Sequence, residues 1–211
     1  MIARLWRLPL AAHLAALALV VAACFPFMSP SSSFTSDEGA YALQARANAA
    51  GRDDYRYKAE GVDPGGAWFP IVLSQRGPNG WFTYSQHPAY PRLQAGLIEL
   101  GGEGFGLHAA SALGVLVAAA AAWLLAGEIH GRGSRPAFWL TALSPVLVNG
   151  YLLWAHAPSA AVAGMAVFAA VRVGRKGWAR PATVLLIAGV AAGVFLRSEG
   201  LLFGVACGVV V

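Results

Sequence analysis

FTSDEGAYALQARAN, residues 34–48, decides how the whole chain is read, because it follows directly on the first long apolar run. Ser36 is a good N-cap. Asp37 and Glu38 fall in the first helical turn, where carboxylates suit the helix dipole. Gly51 supplies a stop. Capping alone accounts for both acids on a well-capped surface helix. The sharper reading puts two adjacent carboxylates where a membrane helix meets water, a position that suits a catalytic base.

Working outward, the composition favours a membrane. The chain has 211 residues, of which 57% are hydrophobic and 12% charged, with mean hydropathy +0.57. That charged share is about half of the ~25% usual in soluble domains. Met1–Arg7 carries Arg4 and Arg7 and no acid, and Leu8–Met28 is then apolar apart from His13. The run is long enough to span a bilayer at about 20 residues. Val21-Ala22-Ala23-Cys24 resembles a lipoprotein cleavage box, but Phe25-Pro26-Phe27-Met28 continues the apolar run. An uncleaved first helix is expected, with His13 as a packed residue. Cys24 and Cys207 both lie in apolar runs and offer neither a disulfide framework nor a cysteine metal site.

The expected fold is an all-α integral membrane protein, a polytopic helix bundle with a large extracytoplasmic first loop containing juxtamembrane helices. Residues 1–28 form the first span and residues 29–105 the loop. Five further segments cover about 106–127, 136–154, 159–173, 181–196 and 201–211. Pro145 should kink the third span. Within the loop, Gly77-Pro78-Asn79-Gly80 marks a turn, and Arg92–Leu100 reads as a short helix leading back to the membrane. Trp68, Trp81 and Tyr84 are expected to anchor the loop at the interface.

Basic residues set the orientation. With a cytoplasmic N-terminus, the cytoplasmic segments hold eight bases (Arg4, Arg7, Arg132, Arg135, Arg172, Arg175, Lys176, Arg180) against Glu128. The long loop holds six bases and eight acids. Residues 29–105 are therefore expected outside, in a multi-pass protein of the plasma membrane. The same topology puts Asp37-Glu38, His87, His156 and Arg197-Ser198-Glu199 on that outer face. Each has a plainer reading: caps for the acids, a loop residue for His87, packing for His108 and His156, and a hairpin rim for Arg197 and Glu199. No H-x-x-x-H or E-x-x-H spacing supports a metal site, and no glycine loop cradles a nucleotide phosphate. Nucleic acid is not an expected partner.

Three stretches carry a resemblance. SDEGAYALQARAN resembles the Asp-Glu-x-x-Tyr helix of the GT-C fold glycosyltransferases, close to the protein mannosyltransferases and bacterial aminoarabinose transferases. YSQHPAYPRL resembles their His-Pro-Pro-Leu stretch, with Ala89 in place of the second proline, and FLRSEGLLF resembles their Arg-x-Glu element. The resemblance implies transfer of a sugar from a polyprenyl-phosphate donor to a lipid, glycan or protein acceptor at the extracytoplasmic face. It implies Asp37 as general base and Glu38 as the group orienting the acceptor or a basic partner. His87, Tyr41, Arg197 and Glu199 would bind substrate, with Arg197 meeting the leaving phosphate and Arg46 and Lys58 as rivals. It allows a divalent metal and requires none, and it implies further spans past Val211. The competing expectation, from another class, is a non-catalytic polytopic membrane protein, either a transporter fragment or a membrane-anchored binding module.

Overall fold

The computed structural model describes residues 9–27, 35–52, 56–57, 75–77, 80–82, 87–131, 134–197 and 199–210. In chain order the helices are α1 (Leu10–Cys24, extended by a 3-10 turn at Phe25–Phe27), α2 (Ser36–Ala49), α3 (Ala89–Gly101), α4 (Glu103–His130), α5 (Ser134–Ala142), α6 (Pro145–Asn149), α7 (His156–Lys176), α8 (Arg180–Leu196) and α9 (Gly200–Val210). Three short strands, β1 (Arg56–Tyr57), β2 (Gln75–Gly77) and β3 (Gly80–Phe82), form an antiparallel sheet in the order β1-β3-β2. Gly77 pairs with Gly80, on either side of the expected turn. The described residues are thus mainly helical, as expected, with this small sheet beside the helices. The chain divides into two compact units. Unit 1 comprises residues 1–29, 111–151 and 155–211, and unit 2 comprises residues 30–110 and 152–154.

Among the described residues, three helices are long and apolar enough to cross a membrane: Leu10–Phe27, Glu103–His130 and His156–Lys176. Arg180–Leu196 is apolar but shorter. In unit 1, α1 buries His13, Leu17 and Val21, a stripe with a spacing of four. Leu17 and Val21 share a core with Val115, Ala119, Phe138 and Ala142. His13 packs as expected: its Nδ1 accepts from Trp139 Nε1 at 3.0 Å, and its ring lies 5.1 Å from that of Trp123. The helices approach through small residues. A Cβ on Gly114 would stand 2.5 Å from the Ala157 carbonyl carbon, and one on Gly189 would stand 3.0 Å from Ala166 Cβ.

The third expected span, 136–154, is corrected to two short helices. α5 stops at Ala142, and Ser144, in extended conformation, caps α6 by accepting from the Val146 N–H at 3.2 Å. Pro145 then fills the first turn of a new helix, where its missing N–H costs nothing. The proline therefore breaks the segment where a kink was expected. The fourth segment, expected over 159–173, begins earlier, so His156 and Pro158 lie inside α7.

Polar contacts mark two ends of unit 1. At one end, Glu128 pairs with Lys176 at 2.6 Å and Arg172 at 3.3 Å, while Arg175 donates to the carbonyls of Glu128 and Ile129. These contacts bring the C-terminal ends of α4 and α7 together, where cations suit the dipole. At the other end, His156 at the start of α7 meets Arg197 at the end of α8.

Unit 2 is built on α2 and α3. Their shared interior includes Ala42, Ala45 and Leu107, together with Leu153 from the returning chain. The Tyr41 and Tyr90 rings meet edge to face at 5.3 Å.

Candidate functional site

The head of α2 is fixed by a capping box. Thr35 is the N-cap: its Oγ1 accepts from the Glu38 N–H at 3.3 Å, and Glu38 Oε2 accepts from the Thr35 N–H at 3.1 Å. This moves the cap from the expected Ser36 to Thr35. Only Thr35 has a glutamate three residues on, which the reciprocal geometry requires.

Glu38 does more than cap. It is 1% exposed, and its Oε1 accepts from the Leu153 N–H at 3.0 Å. Beside it, Trp154 Nε1 donates to Thr35 Oγ1 at 3.2 Å. Residues 152–154 are thereby tied to the first turn of α2. A buried carboxylate is tolerable when both oxygens accept hydrogen bonds, as here. Sequence reasoning missed Thr35, Leu153 and Trp154. The T-x-x-E spacing signals the first, and nothing local signals the other two.

Asp37, the adjacent acid, is partly exposed and lies in the first turn. The box is made by Thr35 and Glu38, so the two carboxylates occupy different environments. Tyr41, one turn on, is 8% exposed and presents little surface to a substrate. His87 lies just before the start of α3, partly buried, and its Nδ1 has no hydrogen-bond partner among the described residues. Asp37, Glu38, Tyr41 and His87 all belong to unit 2.

Arg197, Glu199 and His156 gather in unit 1. Arg197 holds Glu199 with two parallel bonds, Nε to Oε2 at 3.2 Å and Nη2 to Oε1 at 2.8 Å. Its Nη1 lies 2.9 Å from His156 Nε2. His156 is thus part of a polar cluster with two of the residues that sequence placed on the same face, where packing was the plainer reading. His108, by contrast, is buried in α4 at 5% exposure. Of the rival cations, Arg46 is paired with Glu103 at 2.6 Å. Lys58, Trp68, Tyr84 and Ser198 lie outside the described residues, and only the backbone of Trp81, in β3, is described. Among the described residues, no three His, Cys, Asp or Glu side chains gather as a metal site.

Comparison of the chain with protein-family models, curated proteins and solved structures finds no match.

Proposed function

We propose that the chain is the amino-terminal part of a polytopic membrane glycosyltransferase of the GT-C type. It moves a sugar from a polyprenyl-phosphate donor to an acceptor at the extracytoplasmic face of the plasma membrane. One observation carries this reading. Asp37 and Glu38 are neighbours, yet Glu38 closes the cap and holds Leu153, while the partly exposed Asp37 is not the group that closes the cap. The plain capping account explains Glu38, and Asp37 is the partly exposed carboxylate of the pair.

In this reading Asp37 takes the proton of the acceptor hydroxyl as that oxygen attacks the anomeric carbon. A general base must come within about 2.6–3.2 Å of the proton's oxygen. The sugar–phosphate bond breaks, the lipid phosphate leaves with its electrons, and a cation must meet its charge. Glu38 acts by fixing the helix that carries Asp37. The charge asymmetry of the loops supports an outer location for residues 29–105. A membrane location is supported by α4, whose 28 residues run about 42 Å and outreach a hydrocarbon core of ~30 Å.

The test is Asp37→Asn in membranes supplied with a polyprenyl-phosphate sugar. Transfer should fall by about 10²–10⁴-fold while the protein still accumulates. Wild-type transfer by the variant would remove the base assignment. The second reading, a non-catalytic membrane protein, is favoured by the wholly structural bonding of Glu38. It predicts no transfer from any such donor.

A further inference from the structure

Away from the head of α2, its other end borders a groove of ≈ 410 Å³ shared with α3. The C-terminus of α2 closes in a Schellman motif: the Gly51 N–H reaches the Asn48 carbonyl at 3.0 Å and the Arg52 N–H the Ala47 carbonyl at 2.8 Å. Gly51 has φ +65°, the left-handed conformation that the motif needs. The closure fixes where Arg52 leaves the helix, at the groove's edge.

The opposite wall is one face of α3. Arg92, Ala95, Gly96 and Glu99 follow the i, i+3, i+4, i+7 spacing and line the groove together. A cation thus stands at one end of the wall and an anion at the other, about 10 Å apart along the helix. Between them the floor is small, and a Cβ on Gly96 would meet nothing within 4 Å. No ion pair engages Arg52, Arg92 or Glu99 among the described residues. Asn48, which also lines the groove, has a buried Nδ2 with no hydrogen-bond partner among the described residues.

We propose that this groove binds a phosphate-bearing polyol, with Arg52 and Arg92 donating to the phosphate and Glu99 accepting from a hydroxyl. Guanidinium groups match phosphate oxygens in geometry as well as charge. Glu99 disfavours a bare anion and favours one that carries hydroxyl donors. The chemistry has two sources, a soluble sugar phosphate or the headgroup of a lipid such as phosphatidylinositol. The proposal is independent of the transfer reaction, since no residue of the groove is used there.

The experiment uses the whole chain in phosphatidylcholine nanodiscs. In one arm, glucose 1-phosphate and inorganic phosphate are titrated and followed by phosphorus NMR. In the other, nanodiscs containing phosphatidylinositol are prepared and retained lipid is read by native mass spectrometry. Binding in the first arm assigns a soluble ligand, and retention in the second alone assigns a lipid. In the arm that binds, Arg52→Gln and Arg92→Gln should each weaken binding about ten- to hundred-fold. Glu99→Gln should weaken glucose 1-phosphate but not inorganic phosphate. Gly96→Leu fills the groove without touching a charge and should block binding while the helical melting curve stays that of wild type. Failure of both probes to bind, or binding that survives both arginine changes and Gly96→Leu, overturns the proposal.

Discussion

In unit 1, Gly114 meets the backbone of Ala157 and Pro158, and Gly189 meets Ala166. In unit 2, long polar side chains reach into the backbone: Glu38 to the Leu153 N–H, and Gln94 to the Leu107 carbonyl at 2.8 Å. Of the buried polar residues among those described, Glu38, Gln44, Gln94 and His108 belong to unit 2, and only His13 and Ser111 to unit 1. The contrast is between two ways of holding helices together. Close approach of small residues is how helices associate where surrounding lipid is as apolar as they are. Hydrogen bonds from side chain to backbone fix short helices that have only one apolar face to bury. Unit 2 borrows the other method once, where Gly106 lies against the Ile98 backbone.

The contrast breaks hardest at Glu38. Glu38→Ala leaves the Thr35 and Leu153 N–H groups without their charged acceptor, and should destabilise unit 2 by about 3–5 kcal/mol. Hydrogen exchange should show early opening of α2 and of residues 152–154, with α7 and α8 unchanged. Equal loss of protection in both units would erase the distinction. Next comes Gly114→Val, which forces a side chain against backbone and should cost unit 1 about 3 kcal/mol. The readout is α4 and α7 exchange, with α2 still protected.

Gln94→Leu sharpens the comparison because it should do little. The change removes one hydrogen bond and also an Oε1 that has no partner among the described residues. Thermal melting should report a change within about 1 kcal/mol. Smallest of all is Arg46→Ala, which removes a pair whose side chains are 43% and 55% exposed. It should cost no more than about 0.5 kcal/mol, and less at high salt.

Long runs with few charges need no distant partner to be recognised, and three of them coincide with helices long and apolar enough to cross a membrane among the described residues. Sequence also found α2, since Thr35 to Glu38 carries its own start signal. It chose Ser36 over Thr35 because a single cap residue was weighed without the reciprocal partner. The break before Pro145 needed Ser144 to be seen as a cap, and a proline alone does not say whether a helix bends or restarts. The strands, of two and three residues each, exist through pairing across the loop, which no local pattern displays. In the candidate site, the gathering of His156 with Arg197 and Glu199 was legible only as a shared face, and the Glu38–Leu153 bond spans 115 residues and left no trace in spacing.

That separation has a consequence for how the protein is made. The carboxylate of Glu38 is synthesised 115 residues before the amide it holds. At 5–20 residues per second, the ribosome takes about 6–23 s to cover that interval. Throughout it, the first turn of α2 has its Thr35 bond but no latch. A nascent chain stalled before Leu153 would therefore carry a capped but undocked helix, open to proteases and chaperones, and release from the ribosome would be followed by its closure.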